Sequence, residues 1–466
     1  MKNVKSVLYL ILGLLISSLM ACSDDPGAFS EPAPGQDETP EGYVSLEPSS
    51  DTWDGTKRAD ITYQTLVYSF ADSNNDEWGD FRGLTDKLDY LNEMGVNAIW
   101  LSPIHPAMSY HGYDVKDYTT VNARYGTMDD FERLIAKAHE LGIKVYLDYV
   151  MNHTGKDHPW FIDAKSSKES VYRDYYIFSQ DPESDITAGK IPMIKREGSA
   201  GYNAGEWFSA GIGDAMKGYY KFVLDWSNAA SPTITVTEGG TPDSDNPDVT
   251  TQDAKYLYYG EGICKKFYAR GNNKYELTVD LDTDWGFLIR TSNTSWDNGT
   301  KYGAPSKASK VQLGKPFTLS NANPEDILFA SVEAWYFHSH FQTDWFADLN
   351  YGTIDDATNS PAYKAISAAA KEWIDKGIDG FRLDAVKHIY HSATSDENPH
   401  FLKMFYDDMN EYYKSKGHTD DIYIVGEVLS GSDEVAPYYQ GLPALFEFDF
   451  WYKLDWSIAN STGCYF

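Results

Sequence analysis

The sequence is short of cysteine, of basic charge and of long apolar stretches. Three cysteines in 466 residues cannot build a disulfide framework, so the fold must rest on a hydrophobic core. Lys and Arg total 39 against 70 Asp and Glu, a formal charge of −31, and a surface that acidic repels a phosphate backbone. This argues against a nucleic-acid partner. One apolar run, residues 7–19, is too short to cross a bilayer, and no second long run follows it. No internal repeat is visible. Aromatic residues are abundant, with 35 Tyr and 13 Trp, and their flat faces with polar edges either fill a core or stack on sugar rings.

The N-terminus reads as an address. Lys2 and Lys5 precede the apolar run, as in a signal peptide, and the run closes on Leu19-Met20-Ala21-Cys22, which resembles the box cleaved before a lipid-modified cysteine. Acyl chains on Cys22 would hold the protein to a membrane without a transmembrane helix. Residues 23–42 are rich in Pro, Gly, Asp and Glu and read as an extended tether, and Ser23-Asp24-Asp25 resembles the acidic export signal of surface lipoproteins in outer-membrane bacteria. The expectation is a lipid-anchored, surface-exposed protein of the outer membrane.

From residue 62 the chain alternates short β-branched runs with amphipathic stretches. Strands are expected over 62–70, 97–102, 144–150, 378–384, 422–427 and 444–450, and helices over 84–94, 129–141, 361–376 and 398–416. Such alternation points to a parallel α/β sheet or a (β/α)8 TIM barrel, here with about six strands. Functional residues of such a barrel lie at the C-terminal ends of strands, where this chain carries Asp148, Asn152, His153, Arg382, Asp384 and Glu427. The rhythm fails in the middle. Alternating segments at 217–225, 233–237, 276–280 and 287–291, separated by Asn/Asp/Gly turns, read as an inserted all-β sandwich. The expected organisation is a leader (1–21), a tether (22–45), a first barrel part (46–153), a small domain B (154–214 and 333–360) around the inserted module (215–332), and a second barrel part (361–466). Within the module, Trp285 and Trp296 near Lys301 either hold a curved glucan or belong to the core and scattered surface.

Two carboxylates at successive strand ends suit glycoside hydrolysis, in which one attacks the anomeric carbon and the other protonates the leaving oxygen. In a retaining enzyme the carboxyls stand about 5–5.5 Å apart. Arg382, two residues before Asp384, shares its face of the strand, and its permanent charge favours a charged nucleophile. Apolar neighbours would lift Glu427 toward a useful acid. Any one of these residues alone would read as a structural ion pair.

Together the motifs are recognisable. Asp148-Tyr-Val-Met-Asn152-His153, Gly380-Phe-Arg382-Leu-Asp384-Ala-Val-Lys387-His388 and Gly426-Glu427-Val428 resemble the first three conserved regions of the α-amylase family, glycoside hydrolase family 13. Asp344-Trp-Phe-Ala-Asp348-Leu349-Asn350 resembles that family's motif near the end of domain B, and His111-Gly112-Tyr113-Asp114 its segment after the second strand. The resemblance implies an endo-acting, retaining hydrolase of α-1,4-glucosidic bonds in starch and maltooligosaccharides. Asp384 would be the nucleophile and Glu427 the general acid/base. Tyr113, Asp114, His153, Arg382, Lys387 and His388 would contact the sugar, and the module would bind starch. Lys387-His388 looks more like α-1,4-cleaving amylases than like oligo-1,6-glucosidases. A non-catalytic starch-binding lipoprotein and a cyclomaltodextrin- or pullulan-cleaving enzyme are the rival readings, and assembly with other surface proteins of starch utilisation stays open.

Two cation sites are expected. Asp72, Asn74, Asp76, Asp80 and the Trp78 carbonyl offer oxygens at alternate positions, suiting Ca²⁺ or Mg²⁺, although Glu77 stands where an EF-hand has glycine. The resemblance implies a second, a structural calcium at Asn152, Asp348 and the His388 carbonyl. One family feature is missing, since no His-Asp pair follows Glu427. The expectation from this and from the strand count is a truncated chain with low turnover of its own. Cys264 and Cys464 pair only if folding joins them, and Trp456 and Tyr465 read equally as sugar platform or core.

Overall fold

The computed structural model describes residues 61–195, 202–211, 216–241, 252–260, 262–283, 285–294, 298–392 and 396–459. Cys22, Trp296, Cys464 and Tyr465 lie outside them.

Six strands, β1 (Thr62–Thr65), β2 (Ala98–Leu101), β3 (Lys144–Val150), β4 (Gly380–Asp384), β5 (Tyr423–Gly426) and β6 (Ala444–Leu445), form one parallel sheet in which spatial order follows chain order. β3 and β4 are buried on both faces except at Lys144, which explains their nearly continuous apolar character. β4 opens on Gly380 because a Cβ there would lie 2.0 Å from the Tyr423 carbonyl oxygen on β5.

Among the described residues, three of the longer helices pack against the sheet. α1 (Met128–Glu140) starts in a reciprocal capping box. The Thr127 hydroxyl accepts from the Asp130 N–H at 3.2 Å and the Asp130 carboxylate accepts from the Thr127 N–H at 2.9 Å, a device worth about 1 kcal/mol. Its buried Phe131, Leu134, Ile135 and Ala138 recur at helical spacing. α2 (Pro361–Asp375) begins with Ser360 as cap and Pro361 in the first turn, and buries Trp373 at its far end. α3 (Glu397–Ser415) buries Phe401, Leu402, Phe405 and Met409.

Three expected elements are corrected. The run 62–70 is strand only to Thr65, and Val67–Phe70 is a helical turn that sends the Tyr68 carbonyl to the Gly79 N–H. The stretch 84–94 is two helices, Phe81–Asp86 and Leu88–Glu93, which meet at Lys87. The run 444–450 is strand only at Ala444–Leu445, and Phe448 opens a helix to Ala459 although its apolar residues still alternate in the sequence.

Between β3 and β4, domain B is built from short antiparallel pairs. Tyr336–His338 lies between Phe178–Ser179 and Trp207–Ser209, while Phe346–Asp348 pairs with His153–Gly155. The insertion leaves and re-enters through one of these pairs. Ser209 faces Tyr336 in register, and the Ala210 N–H donates to the Trp335 carbonyl at 2.8 Å. The insertion is a two-sheet antiparallel sandwich. Lys217–Asp225, flanked by Lys274–Asp282 and Thr233–Glu238, centres one sheet, and Tyr256–Gly260 and Leu288–Arg290 centre the other. Phe222, Leu224, Ile234, Val236, Leu257 and Ile289 are fully buried in it. The ammonium of buried Lys307 donates to the Trp207 carbonyl at 2.7 Å and pairs with Glu325 at 3.2 Å, fastening module to domain B.

Candidate active site

The parallel pairing of β3, β4 and β5 gathers the charged residues at the strand ends. Arg382 stands opposite Asp148 in register, Asp384 closes β4, and Glu427 follows β5 directly. One Arg382 guanidinium serves all three carboxylates. Its Nη1 donates to Asp148 Oδ1 at 2.8 Å and Asp384 Oδ1 at 2.7 Å, and its Nη2 lies 2.7 Å from Glu427 Oε2. Burial alone would lower the guanidinium's proton affinity, but the surrounding carboxylates reverse this and hold it far above its ordinary value. The rings of Trp100, Tyr113 and Phe446 stand 5.1, 5.7 and 5.8 Å from its central carbon.

Burial pushes Glu427 above the ordinary glutamate range, against the opposing pull of Arg382. That is the direction a general acid needs. Ala385, next after the nucleophile position, takes a left-handed φ of 50° and turns its N–H toward Glu427 Oε2 at 3.4 Å. The strain of a non-glycine residue there falls at the reaction centre.

His153 is buried and held neutral, pushed down to about 4 by that burial. Its Nδ1 meets Asn152 Oδ1 at 3.1 Å, while its Nε2 is buried without a hydrogen-bond partner among the described residues, a vacancy that a sugar hydroxyl suits. The Tyr113 hydroxyl donates to Asp148 Oδ2 at 3.0 Å. Phe341, 40% exposed, rests against the rings of His153 and His388 at 5.4 and 5.8 Å.

Other predicted site residues are placed differently. Asp114 turns away from the sugar site, because its carboxylate accepts from the N–H groups of Met108 and Ser109 and from the Ser109 hydroxyl, fixing the preceding turn. Lys387 is latched to the loop after β5, donating to the Leu429 carbonyl at 2.6 Å and the Ser430 hydroxyl at 2.7 Å. The His388 ring stacks on His340 at 4.0 Å. In the module, Trp285 is half exposed and Lys301 lies on a short strand, so both stand at the sandwich surface.

The two predicted cation sites differ. In the Asp72 loop the carboxylate of Asp72 accepts from the N–H groups of Asn74, Asn75 and Glu77, Asn74 from Asp76, and Asp76 from Trp78. Asn75 and Glu77 take φ of 66° and 74°, so Glu77 adopts the bend for which an EF-hand uses glycine. These bonds fix the loop's side-chain oxygens on its own backbone N–H groups. Asp80 is the exception, with one oxygen capping helix Phe81–Asp86 at the Gly83 N–H and the other held by Ser73. In the second set the Asn152 amide lies directly against the His388 carbonyl, while Asp348 Oδ2 is held by His338 and the His340 N–H and its Oδ1 has no hydrogen-bond partner among the described residues.

Sequence reasoning missed Trp100, whose indole N–H donates to Asp148 Oδ2 at 3.2 Å, and the role of Asp148 as an Arg382 partner. Aligning β3 and β4 in parallel register would have found the second.

A carboxylate pair sharing one arginine at the mouth of a parallel α/β sheet, beside a neutral histidine, defines a glycoside hydrolase site, and comparison with known proteins agrees. The family model described as the alpha amylase catalytic domain matches residues 64–210 and 296–462, and the CBM58 domain of alpha-amylase SusG matches residues 215–330. The chain belongs to the α-amylase family, glycoside hydrolase family 13. Alpha-amylase SusG of Bacteroides thetaiotaomicron is 63% identical over 100% of this chain and 68% of its own length. Alpha-amylase 3 of Dictyoglomus thermophilum is 31% identical over 86% of this chain and 49% of its own. Among solved structures, Eubacterium rectale Amy13B aligns over 84% of this chain and 48% of its own, with 26% identity and a TM-score of 0.47. The chain thus spans two thirds of one of these relatives and about half of the other two.

Proposed function

We propose that this protein hydrolyses internal α-1,4-glucosidic bonds of starch and maltooligosaccharides with retention of configuration. The observation that carries the reading is the single Arg382 guanidinium joining Asp384 and Glu427. Asp384 attacks the anomeric carbon while protonated Glu427 gives its proton to the leaving oxygen. Glu427, then deprotonated, takes a proton from the water that releases the glycosyl-enzyme. His153 offers its unpartnered nitrogen to a sugar hydroxyl, and the Tyr113 ring gives the sugar a face to lie against. Proton NMR of the first product from a maltooligosaccharide tests this, with the α-anomer expected and the β-anomer overturning retention. Glucan binding by the purified protein without any reducing-end release would favour the non-catalytic binder. Products from amylose, pullulan and cyclodextrin distinguish the related hydrolases.

Three further parts of the reading rest on sequence and chemistry. The Asp72 loop holds Ca²⁺ or Mg²⁺ through Asp72, Asn74, Asp76 and the Trp78 carbonyl, bracing the turn after β1. Calorimetric titration of the chelator-treated protein with each ion checks this. The module presents Trp285, Trp296 and Lys301 to starch, and loss of starch affinity on Trp285→Ala would support it. Cys22 carries the lipid that anchors the protein at the outer-membrane surface. Protease added to whole cells should then degrade the protein, and survival would refute surface exposure.

A further inference from the structure

The two reacting carboxylates stand on neighbouring strands, and the segments that follow them are joined bond by bond. Glu427 donates its N–H to the Leu383 carbonyl at 3.0 Å, and its own carbonyl accepts the Val386 N–H at 3.3 Å. Ala385 turns its N–H to the Glu427 carboxylate. Lys387 then reaches across to the Leu429 carbonyl and the Ser430 hydroxyl. The segment 385–387 after the nucleophile is therefore a support for the loop 427–430, and whatever holds that segment also holds Glu427.

One buried side chain does so. Asn398 lies in the first turn of α3 and is 5% exposed. Its amide nitrogen donates to the Lys387 carbonyl at 2.9 Å and the Tyr390 carbonyl at 3.0 Å, and its carbonyl accepts the Tyr390 N–H at 2.8 Å. Three bonds from one amide thus close both ends of the segment 387–390. Tyr438, in the short 3-10 helix Ala436–Gln440 beyond the Glu427 loop, places its hydroxyl 3.5 Å from the same nitrogen. Gly441 follows that helix so close to α3 that a Cβ on it would lie 2.3 Å from the Pro399 carbonyl oxygen. A buried amide has to find partners, and this one finds them in the two segments that follow the reacting strands.

We propose that Asn398 is a positioning residue for the hydrolysis, clamping the segment 387–390 so that the loop carrying Glu427 keeps its carboxyl at the scissile bond. The inference rests on the hydrolase reading above and adds to it a residue that acts through the backbone and not on the sugar. Without the amide, Lys387 loses the anchor of its own carbonyl, and its latch on Leu429 and Ser430 slackens. Two consequences follow for Glu427. A displacement of about 1 Å at a reacting group costs about 10²-fold in rate. Water admitted beside the carboxyl also undoes part of the burial that raises its proton affinity, so the acid loses its proton at lower pH.

The experiment compares the full chain with Asn398→Ala, Lys387→Met and the double variant on maltoheptaose across pH. Asn398→Ala should lower kcat about 10–10²-fold with KM held within about twofold, and should move the alkaline limb of kcat/KM to lower pH. Lys387→Met should move the limb the same way. The double variant should lose little more than Asn398→Ala alone, because both changes act through one loop. Carbon-13 NMR of glutamate-labelled protein, with the Glu427 carboxyl signal assigned by Glu427→Gln, reads the same shift without turnover. Unchanged kcat and limb in Asn398→Ala, a loss confined to Tm, or fully additive losses in the double variant would overturn the proposal. Should Asn398→Ala fail to fold, Lys387→Met decides, since its side chain is half exposed. A downward shift of the Glu427 titration then upholds the clamp, and an unmoved titration refutes it. If the unmodified chain releases no reducing ends, the hydrolase reading fails and the carboxyl titration alone judges Asn398.

Discussion

Two of the buried carboxylate centres among the described residues are held in different ways. At the barrel mouth Arg382 binds Asp148, Asp384 and Glu427, while at the domain B junction Asp348 has only imidazoles and one backbone N–H. A guanidinium is charged at every working pH, and its five donors satisfy several oxygens in one plane. An imidazole is charged only when protonated and is also a good metal ligand. The barrel centre therefore keeps its cation at every working pH, while the junction depends on His338, whose proton affinity Asp348 and Glu206 raise against the pull of burial.

Breaking the Arg382 centre should have the largest effect. Arg382→Met leaves buried Asp148 without its cation, and urea unfolding should show a loss of about 3–5 kcal/mol. If the loss is under 1 kcal/mol, the guanidinium is not the keystone described here. Next come the reacting groups themselves. Glu427→Gln should lower kcat on amylose by about 10²–10⁴ with little change in Tm, and Asp384→Asn at least as much. The same site predicts the pH profile. Glu427 works protonated and burial raises its pKa, so kcat/KM should fall as pH rises through that raised value, on the alkaline limb. The neutral buried form also contributes stability below that point and loses it above. A profile unchanged in the Gln variant would show that another group sets the limb.

At the junction the expected effect is smaller. His338→Gln removes a donor from Asp348 and should cost about 1–3 kcal/mol in unfolding measurements. A cost equal to that of Arg382→Met would erase the contrast between the two centres. The smallest effect belongs to Trp100→Phe, which keeps a ring over Arg382 but removes the indole donor to Asp148. It should cost about 1 kcal/mol and a few-fold in kcat.

How much of this was legible in the sequence differs between the centres. Asp384, Glu427 and Arg382 are readable because each stands at a strand end in a short local motif, and the apolar run at 144–150 and the alternating run at 217–225 match strands residue for residue. Asp148 was visible in its motif, but its partnership with Arg382 needs the β3–β4 register, which spans over 230 residues. Asp348 was visible in its motif, but its meeting with His338 and His391 was not, since those two come from separate strands with no motif spacing. Asp114 misled because its sequence neighbours suggest a sugar contact, while the turn at 108–109 has two N–H groups and a hydroxyl to satisfy. The run 444–450 misled because apolar residues in quick succession serve strand and helix alike.

The way the sandwich joins domain B bears on how such proteins are assembled and rebuilt. Both ends of the insertion pass between paired strands, at Ser209 and Tyr336, so the host sees it as an enlarged hairpin tip. A cassette mounted in that manner can be exchanged for another, or for a tight turn, without rethreading the barrel. One rivet has to be respected. The Lys307 ammonium caps the Trp207 carbonyl inside the host, so a replacement must bring its own donor or leave that oxygen open to water.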